Sequence, residues 1–213
     1  MIRLYFRVIA YVFVVIGLSN ATAGAYDDFF QAVNRDDDRT VTQLIVAGFD
    51  PNSRDPKGQT ALHMALRDRS PRVVDALLKS PAIDLNAHNA DGESPLMMAA
   101  LRGDLGSVKR LVERGAKVDQ PGWSAIHYAA SGPDVAVVAW LLDRGVPIDA
   151  PSPNRSTPLM MAAGYGSEAS VELLLVRGAD PRRRNDLDID ALEFARRSGR
   201  AFLVERLQRT LKP

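Results

Sequence analysis

Gly92-Glu93-Ser94-Pro95-Leu96-Met97-Met98-Ala99-Ala100-Leu101-Arg102-Gly103, followed by Val108-Lys109-Arg110-Leu111-Val112-Glu113-Arg114-Gly115-Ala116, decides how the rest of the chain is read. Proline suits the first turn of a helix, where its missing N–H has no intrahelical partner. Ser94 is placed to cap that turn. The stretch predicts a short helix opening at Ser94-Pro95, a break near Gly103, and a second helix ending at Gly115, a residue type that accepts the left-handed conformation after a helix end. Such a unit cannot bury its own apolar face, so its recurrence is what matters.

It recurs. The opening half returns at Thr60-Ala61-Leu62-His63-Met64-Ala65, Ser124-Ala125-Ile126-His127-Tyr128-Ala129 and Thr157-Pro158-Leu159-Met160-Met161-Ala162, and in worn form at Asp190-Ala191-Leu192-Glu193-Phe194-Ala195. Its apolar third position falls at Leu62, Leu96, Ile126, Leu159 and Leu192, spaced 34, 30, 33 and 33 apart. The closing half returns at Leu141-Leu142-Asp143-Arg144-Gly145-Val146 and Leu174-Leu175-Val176-Arg177-Gly178-Ala179. A period of about 33 carrying this motif is the signature of ankyrin repeats, and the chain resembles that family from about Asp27 to its C-terminus. The resemblance implies an all-α solenoid of stacked helix-turn-helix units with short β-turn fingers. About six repeats are expected, at 26–52, 53–86, 87–119, 120–149, 150–181 and 182–213, with polar caps at both ends.

Residues 1–25 fall outside that pattern. Arg3 and Arg7 precede the apolar run Val8 to Leu18, and Ala21-Thr22-Ala23 and Ala23-Gly24-Ala25 are small-x-small cleavage patterns. This is the layout of a secretory signal peptide, with cleavage expected after Ala25 or Ala23. The rival reading is an uncleaved anchor, for which the run is short, since a bilayer core needs ~20 apolar residues. The layout suits a bacterial exported protein and places the mature chain, residues 26–213, in a periplasm, with no membrane span.

Composition agrees with a folded chain: of 213 residues 46% are hydrophobic and 25% charged. The absence of cysteine removes disulfides, thiolate metal sites and cysteine nucleophiles. A net charge of +1 gives no reason to expect nucleic acid. Charge is nonetheless uneven: residues 26–60 hold seven acidic and four basic side chains, residues 177–213 six and ten, with Arg182-Arg183-Arg184 at one fingertip. Such asymmetry steers encounter with charged partners.

No catalytic layout emerges: there is no phosphate-cradling loop, nucleophile elbow or His-Glu-x-x-His run, so the chain is expected not to be an enzyme and to need no cofactor. In the family, a histidine at the phase of His63 and His127 hydrogen-bonds the neighbouring hydroxyl, and Met97, Met160 and Glu193 hold that phase elsewhere. His88 is expected in a surface finger. Asp36-Asp37-Asp38 reads as a turn with a helix cap, and Asp27 or Asp28 and then Asp38 are expected to cap the first two helices. Asp186-Leu187-Asp188-Ile189-Asp190 alternates but lacks a calcium loop's closing glycine and glutamate. Met64, Met98, Tyr128, Met161 and Phe194 share the phase expected to pack between helix pairs. A periplasmic protein that binds calcium or another metal such as copper, using the Asp-rich finger or the methionines, is the alternative function; no metal ligands are assigned.

The family's binding phase assigns the partner-binding positions Lys57, Gln59, Arg67, Glu93, Leu101, Arg102, Trp123 and Tyr165, with Asp68, Ser156, Gly164, Ile189 and Arg197 at equivalent places. Interface hot spots are enriched in Trp, Tyr and Arg. Trp123 has two readings: an anchor for a partner, or a plug for the gap left by a shortened fourth finger at Asp119-Gln120-Pro121-Gly122. The fifth finger, opening with Pro151-Ser152-Pro153, is expected to be irregular. The expected function is a monomeric, non-catalytic periplasmic module that binds another protein through a concave groove. Exported bacterial ankyrin proteins of this size resemble accessory factors of oxidative-stress defence and toxin-immunity proteins.

Overall fold

The computed structural model describes residues 24–212, so the expected leader lies outside the described residues except for Gly24 and Ala25. The described chain forms two compact units that divide between Ile83 and Asp84, near the expected boundary of the second and third repeats. The first unit holds α1 (residues 24–34), α2 (Asp38–Val46), α3 (Ala61–Asp68) and α4 (Pro71–Lys79). The second holds α5 (Pro95–Leu101), α6 (Leu105–Glu113), α7 (Ala125–Ser131), α8 (Val135–Leu142), α9 (Pro158–Tyr165), α10 (Glu168–Val176), α11 (Ala191–Arg197) and α12 (Ala201–Leu211). Among the described residues the only β-type pairing is the isolated bridge between Arg54 and Thr60.

In the first unit the acidic caps shift from their expected places. Asp27 and Asp28 lie inside α1, which is already helical at residue 24. Asp36 takes a left-handed backbone, φ 53°, and the reversal leaves Asp37 as the last non-helical residue before α2. Asp37, rather than Asp38, therefore caps α2: its Oδ1 accepts from the N–H of Arg39 and Thr40 at 3.2 Å, and its Oδ2 from the Thr40 hydroxyl at 2.7 Å. Those hydrogen bonds, the Thr40 hydroxyl foremost, hold the Asp37 carboxyl below its ordinary pKa. Asp36 accepts from the Val73 N–H at 2.9 Å and pairs with Arg72 at 3.3 Å. It serves the first turn of α4, where Ser70 makes no side-chain cap.

The inner helices share one start, with Thr60, Ser94, Ser124, Thr157 and Asp190 as N-caps. In the first four of these the side chain three residues on reaches back to the cap's N–H: His63 Nδ1 and His127 Nδ1 at 3.3 Å, Met97 Sδ at 3.3 Å and Met160 Sδ at 3.4 Å. This is a capping box in which imidazole or thioether replaces the usual Glu or Gln. A backbone N–H can only donate, so Nδ1 is the acceptor and the proton sits on Nε2. His127 Nε2–H accordingly donates to the Ala150 carbonyl at 2.9 Å. Burial holds His127 below its ordinary pKa, which keeps the ring neutral. The histidine phase thus closes helix starts, as the resemblance implied.

Most fingers are closed by two backbone bonds. Residue one receives a bond from residue four and sends one to residue five, as in Gly58 N–H to Asp55 O with Asp55 N–H to Gln59 O. The same pair closes 89–93 and 185–189, and also 152–156. The fifth finger is thus regular, against expectation: the left-handed position that Gly58 and Gly92 fill elsewhere is taken by Arg155 at φ 58°. The fourth finger is the exception. It is closed by a side chain, Gln120 Nε2 donating to the Trp123 carbonyl at 2.9 Å.

In the second unit α5, α7, α9 and α11 pack in sequence as an inner row, and α6, α8 and α10 lie behind, with α12 against α11. Leu96, Ile126 and Leu159 are fully buried between the rows, with Leu111, Leu141 and Leu174 from the outer helices. Gly166 allows close approach of α9 to α7: a Cβ there would lie 1.9 Å from the Ala130 carbonyl oxygen. In α12, Leu203 and Leu207 are buried one turn apart, and Phe202 is 59% exposed. Arg206 ties α12 to α10 through a two-pronged pair with Glu172 at 2.6 and 2.9 Å.

Candidate functional site

The inner row of the second unit carries two adjoining clefts. The larger, about 440 Å³, is lined by Trp123, Met161, Tyr165, Leu187, Ile189 and Phe194, with Asn154, Ser156, Asn185, Arg197 and Ser198. The smaller, about 240 Å³, is lined by Leu101, Trp123, His127, Tyr128, Ser131 and Met161. Trp123 and Met161 belong to both.

Their placement follows from the repeat. Leu101 and Tyr165 are the last residues of α5 and α9, where the inner helices run out from the core. Trp123 stands just before the cap of α7. Its ring meets that of His127 edge-on, centroids 5.3 Å apart. Tyr165 is 64% exposed and meets Phe194 edge-on at 6.5 Å. Gly164 leaves room for that ring, since a Cβ there would come within 3.1 Å of Phe194 Cδ1.

The polar rim is already engaged. Asn185 Oδ1 accepts from the N–H of Leu187 and Ile189, and its Nδ2 donates to Ser156 Oγ at 3.2 Å. The fifth and sixth fingers are joined by the Asp186 N–H to the Asn154 carbonyl at 3.0 Å and by Arg155 with Asp186 at 2.6 Å. Arg197 pairs with Glu193 at 3.0 Å, which holds the Glu193 carboxyl below its ordinary pKa. Tyr128 Oη donates to Glu93 Oε1 at 2.9 Å, and Asn89 Nδ2 donates to Glu93 Oε2 at 2.7 Å. Burial, then the Glu93 bond, pushes the Tyr128 phenol above its ordinary pKa.

Among the expected positions, the clefts gather Leu101, Trp123 and Tyr165, together with Ser156, Ile189 and Arg197. Glu93 binds the third finger to Tyr128 through both oxygens, and Arg102 is the exposed C-cap of α5, outside the lining of either cleft. Lys57, Gln59 and Arg67 belong to the first unit. There Arg67 donates to Gln59 Oε1 at 2.6 Å and pairs with Asp68 at 2.7 Å, and Lys57 N–H donates to Asp55. Tyr128, Met161 and Phe194, expected as packing, are half-buried and line the clefts. Met64 and Met98, at the same phase, are buried. The signal that separates them was present: beside Tyr128 and Met161 the fourth finger is short, and beside Phe194 stands Gly164. Trp123 packs on His127 and lines both clefts.

The alternating aspartates of the last finger are paired with arginines: Asp186 with Arg155, Asp188 with Arg184 at 3.0 Å, and Asp190, which caps α11, with Arg184 at 3.6 Å. Among the described residues no three His, Cys, Asp or Glu side chains converge on a metal position. No helix among them is long and apolar enough to cross a membrane. His88 meets Gln120 at 3.1 Å on the surface.

Comparison with known proteins gives a consistent result. The family model for ankyrin repeats in three copies matches residues 29–121 and 117–185. The chain is 34% identical over 152 residues to the B-cell lymphoma 3 protein homolog of Mus musculus, covering 68% of this chain and 34% of that protein. It is 31% identical over 154 residues to the nuclear factor NF-kappa-B p105 subunit of Gallus gallus, covering 68% and 16%. The chain therefore spans about a third or less of the curated relatives it matches. The crystal structure of the ankyrin repeat domain of Bcl-3 superposes with a TM-score of 0.63 at 34% identity, covering 82% of this chain and 79% of that one.

Proposed function

The chain belongs to the ankyrin-repeat family, and on that premise we propose that it is a non-catalytic module that binds another protein through the clefts of its second unit. One observation carries the reading: Leu101, Trp123, Tyr128, Met161, Tyr165 and Phe194 leave apolar surface open on consecutive inner helices, while the polar groups around them are bonded to one another. A preformed apolar floor inside a satisfied rim loses little ordering entropy on binding. Aromatic anchors in desolvated pockets are where interface energy concentrates.

The setting belongs to the same proposal. Residues 1–25 act as an export signal, and the mature chain is a periplasmic monomer serving as an accessory factor, either in oxidative-stress defence or as a toxin-immunity protein. The metal-binding alternative draws no support from the finger aspartates, which pair with Arg155 and Arg184.

Capture from a periplasmic extract tests the reading. Wild type is expected to retain a partner that Trp123→Ala and Tyr165→Ala each weaken by 2 kcal/mol or more, roughly thirtyfold in Kd. Retention of every partner by both variants would overturn the assignment of the clefts. N-terminal sequencing of the exported chain checks the leader: a start at Gly24 or Tyr26 is expected, and an intact Met1 would refute cleavage.

A further inference from the structure

Five methionines lie among the described residues, and four are sealed: Met64, Met97, Met98 and Met160 are 7%, 1%, 4% and 1% exposed. Met97 and Met160 are further committed, their sulfurs accepting backbone N–H groups. Met161 alone is half-buried, and it lines both clefts together with Trp123. It has the phase of Tyr128 and Phe194, so its thioether stands in a row of aromatic rings. Met160, its neighbour in sequence, points into the core. Adjacent thioethers of one helix thus differ sharply in access to solutes.

We propose that Met161 is an oxidation site through which peroxide-class oxidants change the character of the clefts. The thioether sulfur attacks one peroxide oxygen. The O–O bond breaks and the S–O bond forms. Sulfur loses two electrons, and the peroxide leaves as water or an alcohol. The sulfoxide is polar and a strong hydrogen-bond acceptor where the thioether was apolar. At the junction of the clefts it presents a dipole to any apolar side chain seated beside Trp123. The capping methionines escape, because their sulfurs are enclosed and bonded. Modification therefore falls on the surface and leaves the helix starts intact.

The experiment needs no partner, so its result is independent of the capture assay. The full chain is treated with graded hydrogen peroxide and digested, and fragment-ion spectra distinguish Met161 from Met160. Met161 is expected to oxidise roughly tenfold or more faster than Met64, Met97, Met98 and Met160, since susceptibility follows exposure. Indole emission, recorded in a Trp140→Phe background so that Trp123 reports alone, is expected to change in step with that oxidation. A methionine sulfoxide reductase should reverse the change. Met161→Leu, close to isosteric, should abolish it while leaving the far-ultraviolet spectrum unaltered. Oxidation of Met160 or Met97 at the rate of Met161, or the same emission change in Met161→Leu, would overturn the proposal.

Discussion

The fourth and fifth repeats adjoin in the second unit and share an inner-helix pattern, yet they are built to different rules. The fifth closes its finger with two backbone bonds, and Met160 completes its helix start. The fourth has a short finger closed by Gln120, and a buried neutral histidine completes its start. Their cores are equivalent, Ile126 and Leu159 both being fully buried. The difference is therefore confined to the finger and the side chains beside it, which is where Trp123 enters and the two clefts meet. Regularity builds the support, and beside the irregular finger apolar surface is left open.

Variants in the two repeats can break this comparison. The largest effect is expected in the shared core. Ile126→Ala and Leu159→Ala should each cost about 2–5 kcal/mol in urea unfolding. A much cheaper Ile126→Ala would show that the fourth repeat is irregular inside as well.

His127→Met exchanges one helix start for the other. It removes the bond to the Ala150 carbonyl and should cost about 1–3 kcal/mol at neutral pH. It should also flatten part of the pH dependence. Burial holds folded His127 below its ordinary 6.5, so as pH falls the unfolded chain takes up the proton first. The histidine's contribution is then complete above 6.5 and declines as pH drops toward the folded value. Equal pH dependence in wild type and His127→Met would refute that account.

The fingers should differ more modestly. Asn154 Oδ1 accepts from Ser152 Oγ and the Ser156 N–H. Asn154→Ala should cost about 1 kcal/mol and speed hydrogen exchange at Ser156. Gln120→Ala, which removes the part-buried bond to the Trp123 carbonyl and an exposed one to His88, should cost less and act at Trp123. The smallest change is expected for Arg155→Gly. Relief of the left-handed backbone, about 1 kcal/mol, offsets loss of an exposed ion pair worth about 0–1 kcal/mol, so unfolding midpoints should nearly coincide.

The helix pairs and their caps were legible because each depends on local chemistry. Ser94 and Thr157 cap because a hydroxyl stands before a proline-led turn, and Gly115 and Gly178 end outer helices because the chain there needs positive φ. Local reading failed where a residue answered to something distant in sequence. Asp36 was bound to the first turn of α4, thirty-seven positions on, and its reversal moved the cap of α2 from Asp38 to Asp37. Arg155 could hold a glycine's place because Asp186 in the next finger receives its guanidinium. Glu93, assigned to the binding phase, also has a partner the local sequence does not show: one oxygen accepts from Tyr128 of the next repeat and the other from Asn89.

The sequence by itself determined that this chain is an array of ankyrin repeats, since a period near 33 with two phased half-motifs is satisfied by stacked helix pairs that bury one another's apolar faces. Through the family resemblance it also placed His63 and His127 at helix starts, where the residue three positions past a cap lies within reach of it. Only the tertiary structure decided which members of one phase are core and which are surface. Met98 and Met161 have the same motif position and nearly the same neighbours in sequence. What separates them is the space left by a short finger and a glycine on adjacent repeats, and burial is a property of that space.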